Sequence, residues 1–269
     1  MLTQSNWGFA AVVAGLVWSA SALAQQAPTT SAFSPGEQAQ YRVKYFGVTA
    51  GTAQVTVGAP MKQWGVDVWP IVAVARSEAL IGVWPIKDKF VSYWQADTQR
   101  VAGSELHADE NGKRRRQRIQ ISPDGKSAHV VKQREGEAPR ESTAELTEGT
   151  LDVTGATFAL RNQVLVVGGE YAFPVFTGSK SFTMRAKVES RETLETELGE
   201  QEVFKTRVQA EFGGNLNTKR DMVVYFTADS RHVLVRVEAD LVLGTVVAEI
   251  TDYQPGRAVT VARAEGGGG

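Results

Sequence analysis

The chain has 269 residues, with 29 Lys and Arg against 30 Asp and Glu, and a formal net charge of −1 at pH 7. This balance argues against a general nucleic-acid binder, which is usually strongly basic. The chain has no cysteine, so we expect neither disulfide bonds nor a lipid-modified N-terminal cysteine.

Residues 1–24 have the pattern of a secretory signal peptide. Residues 7–23 form an almost unbroken apolar run, and Ala22-Leu23-Ala24 supplies the small residues that precede a cleavage site. We therefore expect cleavage after Ala24 and a periplasmic or secreted mature chain, in which no further segment is long enough to cross a membrane as a helix. Because residues 1–6 contain no Lys or Arg, an uncleaved membrane anchor is the alternative interpretation.

The first half of the chain predicts strands and turns. Residues 25–34 are polar and contain Pro and Thr, which predicts a flexible linker. Alternating apolar residues from residue 38 onwards predict strands, and Pro70 within the run 66–74 predicts an edge strand or a bulge. Residues 77–84 are compatible with a short helix that Ser77 caps and Pro85 ends. Asn111-Gly112 predicts a two-residue hairpin turn, because both central positions need a positive φ.

The second half continues the all-β pattern. Residues 135–148 are charged and predict a solvated loop or an edge strand, whereas Asp152 is a plausible cap for a short helix over residues 153–160. Residues 233–243 alternate between apolar and charged positions, as in an antiparallel strand that covers a core. Residues 256–269 end in four glycines and are expected to be a disordered tail.

These elements predict one all-β domain over residues 35–255. Roughly twelve to fourteen strands are more than one open twisted sheet usually holds. We therefore expect a large antiparallel sheet curled into an open barrel, a half-barrel or a sandwich, with one or two short helices.

Several motifs resemble the DUF3108 family of exported bacterial proteins. They include Phe33-Ser34-Pro35-Gly36-Glu37, Trp84-Pro85-Ile86-Lys87-Asp88-Lys89-Phe90, Phe158-x-Leu160-Arg161 and Tyr225-Phe226-Thr227-x-Asp229-x-Arg231. The resemblance implies export, a largely antiparallel fold and a single domain, and it carries over no catalytic residue. Six charged residues match charges that recur in the family, and we expect some of them to form internal ion pairs that fix the register of the strands: Arg161, Glu192, Asp229, Arg231, Arg236 and Glu238.

Two groups of residues are candidate ligand contacts. The first combines aromatic and charged side chains that would line the mouth of a cavity or plug one end of the sheet: Trp84, Lys87, Asp88, Phe90 and Tyr93. The second is the ladder Arg114, Arg116 and Arg118, which would share one face of a strand and contact the phosphates of a polyanion. The alternative is a solvated strand, partly neutralised across the hairpin by Glu105, Asp109 and Glu110.

No motif indicates catalysis, a metal or another cofactor. His107, His129 and His232 are far apart, and Ser179 lies at an expected turn without a nucleophile motif. The leading hypothesis is therefore a non-enzymatic protein of the periplasmic envelope that binds or carries an amphiphilic ligand, a lipid or a glycolipid. The alternatives are an interaction module that docks onto an envelope protein complex, and a hydrolase that acts on a glycan or a lipid.

Overall fold

The computed structural model describes residues 31–77, 85–212, 215–241 and 244–257. The predicted signal peptide, Trp84, nearly all of the predicted helix over 77–84 and the glycine run lie outside these ranges.

The described chain forms one large antiparallel sheet and one helix. The order along the sheet is β10-β11-β12-β13-β14-β15-β1-β2-β4-β5-β6-β7-β8-β9, and β3 pairs only with β4. The elements are β1 (Gln38–Tyr45), β2 (Val48–Val57), β3 (Met61–Gln63), β4 (Val66–Ser77), β5 (Ile86–Gln95), β6 (Arg100–Glu110), β7 (Lys113–Ile121), β8 (Ser127–Arg134), β9 (Arg140–Glu145), α1 (Val153–Arg161), β10 (Glu170–Phe176), β11 (Ser181–Thr196), β12 (Gly199–Phe212), β13 (Asn215–Thr227), β14 (Leu234–Leu241) and β15 (Gly244–Gln254).

Two-residue turns set the register of the hairpins. Asn111 and Gly112 have φ of 54° and 75° between β6 and β7, which confirms the predicted turn. Phe46-Gly47 and Trp64-Gly65 make the same left-handed pair between β1 and β2 and between β3 and β4. The prediction for residues 135–148 is also confirmed, because β9 is an edge strand of the sheet.

The sheet curls around α1, and the face that packs against this helix is called the concave face. Val57, Ile71 and Trp94, from β2, β4 and β5, join Phe158 and Leu160 of α1 in the main core cluster. The edge strands β9 and β10 are not hydrogen-bonded to each other. Side chains close the curl instead, because Phe176 at the end of β10 packs against Ile119 and Val130 of β7 and β8. The prediction of a large, curled antiparallel sheet is confirmed, and the curl is open because its two edge strands do not pair.

The helix begins where the sequence indicates. The side chain of Asp152 caps α1 and accepts a hydrogen bond of 2.7 Å from the backbone N–H of Gly155. Gly155 weakens the helix by propensity, but a Cβ at this position would lie 2.5 Å from Cγ2 of Val101. The helix therefore packs closely against the sheet because residue 155 has no side chain.

Strand direction gives the curled sheet two ends. The helix end carries α1 and its flanking loops, together with the loops of residues 96–99, 122–126 and 228–233. The hairpin end carries the turns of residues 46–47, 111–112, 135–139 and 177–180.

Three predictions about element boundaries are corrected. The flexible linker does not extend to residue 34, because Phe33 is 2% exposed and packs edge-on against Trp94 and Phe158, 5.8 and 4.6 Å between ring centroids. The ordered domain continues past residue 255, since the N–H of Arg257 donates to the carbonyl of Pro35 over 3.0 Å. Pro70 lies in an interior strand, at the junction where the partner of β4 changes from β3 to β2, so its missing N–H costs no ladder bond on that side.

Candidate functional site

A buried ion pair joins the beginning of the domain to α1. Nη1 and Nη2 of Arg161 donate to the two carboxylate oxygens of Glu37 over 2.6 and 3.1 Å, and the two side chains are 3% and 7% exposed. The hydroxyl of Tyr253 also donates to Glu37, over 3.3 Å. Burial and the neighbouring Glu37 raise the pKa of Tyr253 to about 12, which keeps the hydroxyl protonated as a donor.

The same guanidinium reaches the turn between β13 and β14. Nη2 of Arg161 donates to the carbonyl of Arg231 over 3.0 Å, and Arg231 pairs with Asp229 over 2.5 Å. The predicted charges Arg161, Asp229 and Arg231 therefore lie together, with Glu37 as an acceptor that sequence reasoning placed in a family motif but not in this network. The cluster fixes α1 against both the N-terminal segment and the last hairpins.

His232 lies beside this cluster in an open cleft. The cleft has a volume of 570 Å³ and is also lined by Asn162 and Phe204. Nδ1 of His232 lies 2.7 Å from the carbonyl of Arg161, and because a carbonyl only accepts, this nitrogen carries the proton. Burial lowers the pKa of His232 below its usual value. The neutral ring therefore stabilises the backbone at the end of α1 through this hydrogen bond.

The other predicted charges form a separate group on the opposite, convex face of the sheet. Arg236 contacts Glu249 on the neighbouring strand β15 over 2.5 Å and Glu238 on its own strand over 3.8 Å. Glu192 accepts a hydrogen bond of 3.0 Å from Ser190 on its own strand. Of these contacts, the Arg236–Glu249 pair links neighbouring strands, and none of them converges with Arg161.

The predicted aromatic group is divided between the two faces of the sheet. Phe90 and Asp88 alternate with Lys87 and Tyr93 along β5, so the two pairs point to opposite faces. Tyr93 packs with Trp64 in a small cluster on the convex face, with ring centroids 5.1 Å apart. A single ligand on one face cannot contact all four side chains.

The predicted arginine ladder lies on the convex face. Arg114 and Arg118 are directly opposite Asp109 and Glu105 in the register of β6 and β7, and both pairs form ion pairs of 3.2 Å. The spacing places the three arginines on one face as expected, but neighbouring carboxylates neutralise two of them.

The concave face has an apolar surface that contains one of the predicted ligand contacts, Phe90. Towards the hairpin end its lining consists mainly of small or medium apolar side chains, all partly exposed: Val43, Ala53, Ala73, Ala75, Phe90, Leu106, Val237, Ala239, Val246 and Ala248. Helix α1 and Phe33 fill only the other half of the curl. Because alanine side chains are small, the described residues line this half of the curl and leave their side chains partly exposed, as in sheets that enclose a ligand.

Among the described residues, no three His, Cys, Asp or Glu side chains come together as a metal site. Nε2 of His129 lies 3.2 Å from the carboxylate of Glu141. No helix in the described part of the chain is long and apolar enough to cross a membrane.

These features define a class of protein in which one antiparallel sheet curls around a short helix and leaves its second end lined by apolar side chains. The chain belongs to the DUF3108 family, described as proteins of unknown function, whose profile matches residues 40–251. The resemblance found in the sequence motifs is therefore confirmed.

A solved structure shows the same fold without close sequence similarity. A β-barrel-like protein of the domain of unknown function DUF1849 from Brucella abortus is 8% identical, with a TM-score of 0.56, and the match covers 82% of this chain and 98% of that one. A protein of Parabacteroides distasonis, provisionally described as a lipoprotein, is 10% identical with a TM-score of 0.33 and coverages of 84% and 99%.

A protein of Bacteroides fragilis, provisionally described as exported and with a YmcC-like fold, is 7% identical. Its TM-score is 0.30, and the match covers 82% of this chain and 97% of that one. No curated protein matches the chain in sequence.

Proposed function

We propose that this protein is a non-enzymatic, exported protein of the bacterial envelope that holds an amphiphile, a lipid or a glycolipid, on its concave face. The observation that carries the proposal is the apolar lining of the hairpin half of the curl. Ala75 lies in its centre, directly opposite Ala53 on β2 and Asp88 on β5.

The described side chains at the hairpin end of the concave face are packed less completely than those at the helix end. At the helix end the concave positions Val57, Ile71 and Trp94 are almost completely buried, whereas at the hairpin end Ala53, Ala73 and Ala75 remain partly exposed. An acyl chain that covered these positions would remove apolar surface from water, at about 25 cal/mol per Å². The same lining provides few hydrogen-bond partners, which favours a hydrocarbon over a sugar or a peptide in this half.

Export is supported by the sequence of residues 1–24, with its apolar run and the small residues at Ala22 and Ala24. In the periplasm, the mature chain would meet lipids and glycolipids on both sides. A curled sheet that shields an acyl chain from water suits a protein that binds or carries such molecules there.

The test is a titration of the mature protein with a fluorescent fatty-acid analogue. Ala75→Trp places a large ring in the concave half and is expected to reduce affinity at least tenfold, which is about 1.4 kcal/mol. Ala53→Leu is a milder second variant on the neighbouring strand. Arg76→Trp adds the same ring to the convex face of β4 and serves as the matched control.

Unchanged affinity in folded Ala75→Trp and Ala53→Leu proteins would contradict the proposal. Equal losses in Ala75→Trp and Arg76→Trp would also contradict it, because a ring on the convex face does not enter the concave half.

A second candidate, an interaction module for an envelope complex, is favoured by a different observation. The loop after α1 exposes Val164, Val166 and Val167 by 52–58% at the helix end. Replacing these three valines with serine would disrupt such docking and leave lipid binding unchanged.

A further inference from the structure

A groove at the hairpin end is lined mainly by cations. The turn between β10 and β11 lies against the concave face of β7, where Nε2 of Gln117 donates to the carbonyl of Thr177 over 3.1 Å. Between this turn and strands β7–β9 is a groove of 260 Å³. Its lining includes four cationic side chains of the concave face and its far turn, with a single carboxylate: Arg115, Lys132, Arg134, Arg140 and Glu137.

Two pairs of like charges face each other across neighbouring strands in this groove. Lys132 is directly opposite Arg140 on β9, and Arg115 is directly opposite Arg134 on β8. Like charges in directly opposite positions destabilise a sheet. A bound anion between them would offset this repulsion.

The protein's own carboxylates neutralise the groove only in part. Glu137 is shared between Arg140 at 3.2 Å and Arg134 at 3.9 Å, so that one carboxylate serves two guanidinium groups. Arg115 pairs with Glu110 at 2.7 Å. Lys132 is half-buried, and in the described part of the chain no carboxylate lies within ion-pair distance of its Nζ. A net positive charge therefore remains on the groove walls.

The groove continues the apolar lining. The register runs from Ala73 to Phe90, then to Leu106, Gln117 and Lys132, each on the next strand of the sheet. Neighbouring strands are about 4.8 Å apart. Lys132 thus lies about 10 Å from Leu106, which also lines the groove. The concave face changes from apolar to cationic within two strands.

We infer that this groove binds a phosphate-type anion and that, given the proposed function, the anion is the headgroup of the amphiphile. The guanidinium groups of Arg134 and Arg140 present planar donors that match phosphate oxygens, and Lys132 adds a point charge. An acyl chain attached to the phosphate would extend over Leu106 and Phe90 towards Ala73. The ligand class is an anionic phospholipid or a phosphorylated glycolipid.

The experiment uses isothermal titration of the mature protein with three probes. Lauroyl lysophosphatidate and monolaurin share the acyl chain and the glycerol, and differ in the phosphate. Glycerol phosphate presents the headgroup alone. We expect lysophosphatidate to bind at least tenfold more tightly than monolaurin, and this preference to weaken as salt is raised.

The variant Lys132→Gln/Arg140→Gln is expected to remove the preference for lysophosphatidate while leaving monolaurin binding unchanged. Arg114→Gln/Arg118→Gln removes two cations from the convex face of the neighbouring strand β7 and is the matched control. Thermal unfolding provides a second measurement, because removing the opposed cations is expected to leave the melting temperature unchanged or to raise it.

The outcomes separate the inference from the proposed function. Equal affinity for the two lipids, or an intact preference in Lys132→Gln/Arg140→Gln, would overturn the anion site and leave lipid binding in place. Binding of glycerol phosphate alone, lost in that variant, would support the anion site and contradict the lipid proposal. Binding of none of the three probes would contradict both.

Discussion

Removing the charge of Glu37 tests how the curled sheet is held to its helix. Glu37→Gln keeps the size of the side chain but leaves the guanidinium of Arg161 buried without a counter-charge, at 3% exposure. The remaining partner is the carbonyl of Arg231, at 3.0 Å from Nη2, together with the rings of Phe33 and Phe158, at 5.4 and 4.8 Å from Cζ. Breaking a buried pair from one side costs about 3–5 kcal/mol.

The assay is equilibrium unfolding in urea, and the expected loss lowers the midpoint without changing the slope. In a domain of this size, a loss of about 4 kcal/mol corresponds to a decrease of roughly 8–16 °C in melting temperature. Arg161→Met is expected to cost a similar amount, because among the described residues it leaves the buried carboxylate of Glu37 with the hydroxyl of Tyr253 as its donor.

The double variant Glu37→Leu/Arg161→Met removes both charges and is the decisive control. Because a buried pair replaced by apolar side chains is often neutral, we expect the double variant to be more stable than either single variant. Losses that add within about 0.5 kcal/mol would refute the reasoning, since independent sites behave in that way.

Three further changes test other parts of the structure. Burial raises the pKa of Asp152 from 3.8 to about 6, so the native state binds this proton more tightly than the unfolded chain. Deprotonation of Asp152 therefore lowers the free energy of unfolding by about 3 kcal/mol as the pH rises from about 4 to 6. Urea unfolding across this range is expected to show this loss of stability in the wild type. Asp152→Asn keeps a capping side chain but cannot ionise, and is expected not to show the loss. Phe33→Ala is expected to lower the free energy of unfolding by about 3–5 kcal/mol in the same assay. A loss below about 1 kcal/mol would mean that Phe33 belongs to the flexible linker and not to the core. Gly103→Ala would bring its Cβ against the carbonyl of Ile119 and within 2.6 Å of the Trp64 ring, so its melting temperature should fall further than that of Gly112→Ala, where φ is also positive but no atom lies within 4 Å.

Two local signals in the sequence predicted their elements correctly. Asn111-Gly112 specifies its turn through backbone sterics, and Asp152 specifies the start of α1 through a hydrogen bond three residues away. The composition of residues 25–34 suggested a linker, because a single aromatic residue in a polar segment gives no sign of the core into which it packs. Phe33 shows that tertiary contacts override composition there.

The candidate site could be predicted from the sequence only in part. Spacing alone placed Arg114, Arg116 and Arg118 on one face of a strand, but it did not say whether that face is the concave or the convex one. The positions between these arginines carried the information about which face is concave. Ile119 on β7 and Val130 on β8 are buried apolar residues, and Lys132 lies on the same face as Val130. The Glu37–Arg161 pair spans 124 residues, a separation at which only the fold brings two charges together.

The most direct test of the central claim is native mass spectrometry of the mature protein purified from its own envelope, followed by organic extraction. We expect a bound amphiphile at close to one molecule per chain, retained by Arg76→Trp and lost from folded Ala75→Trp. A wild-type protein that carries no amphiphile, or an amphiphile equally retained by Ala75→Trp, would contradict the assignment of the concave face as its binding site.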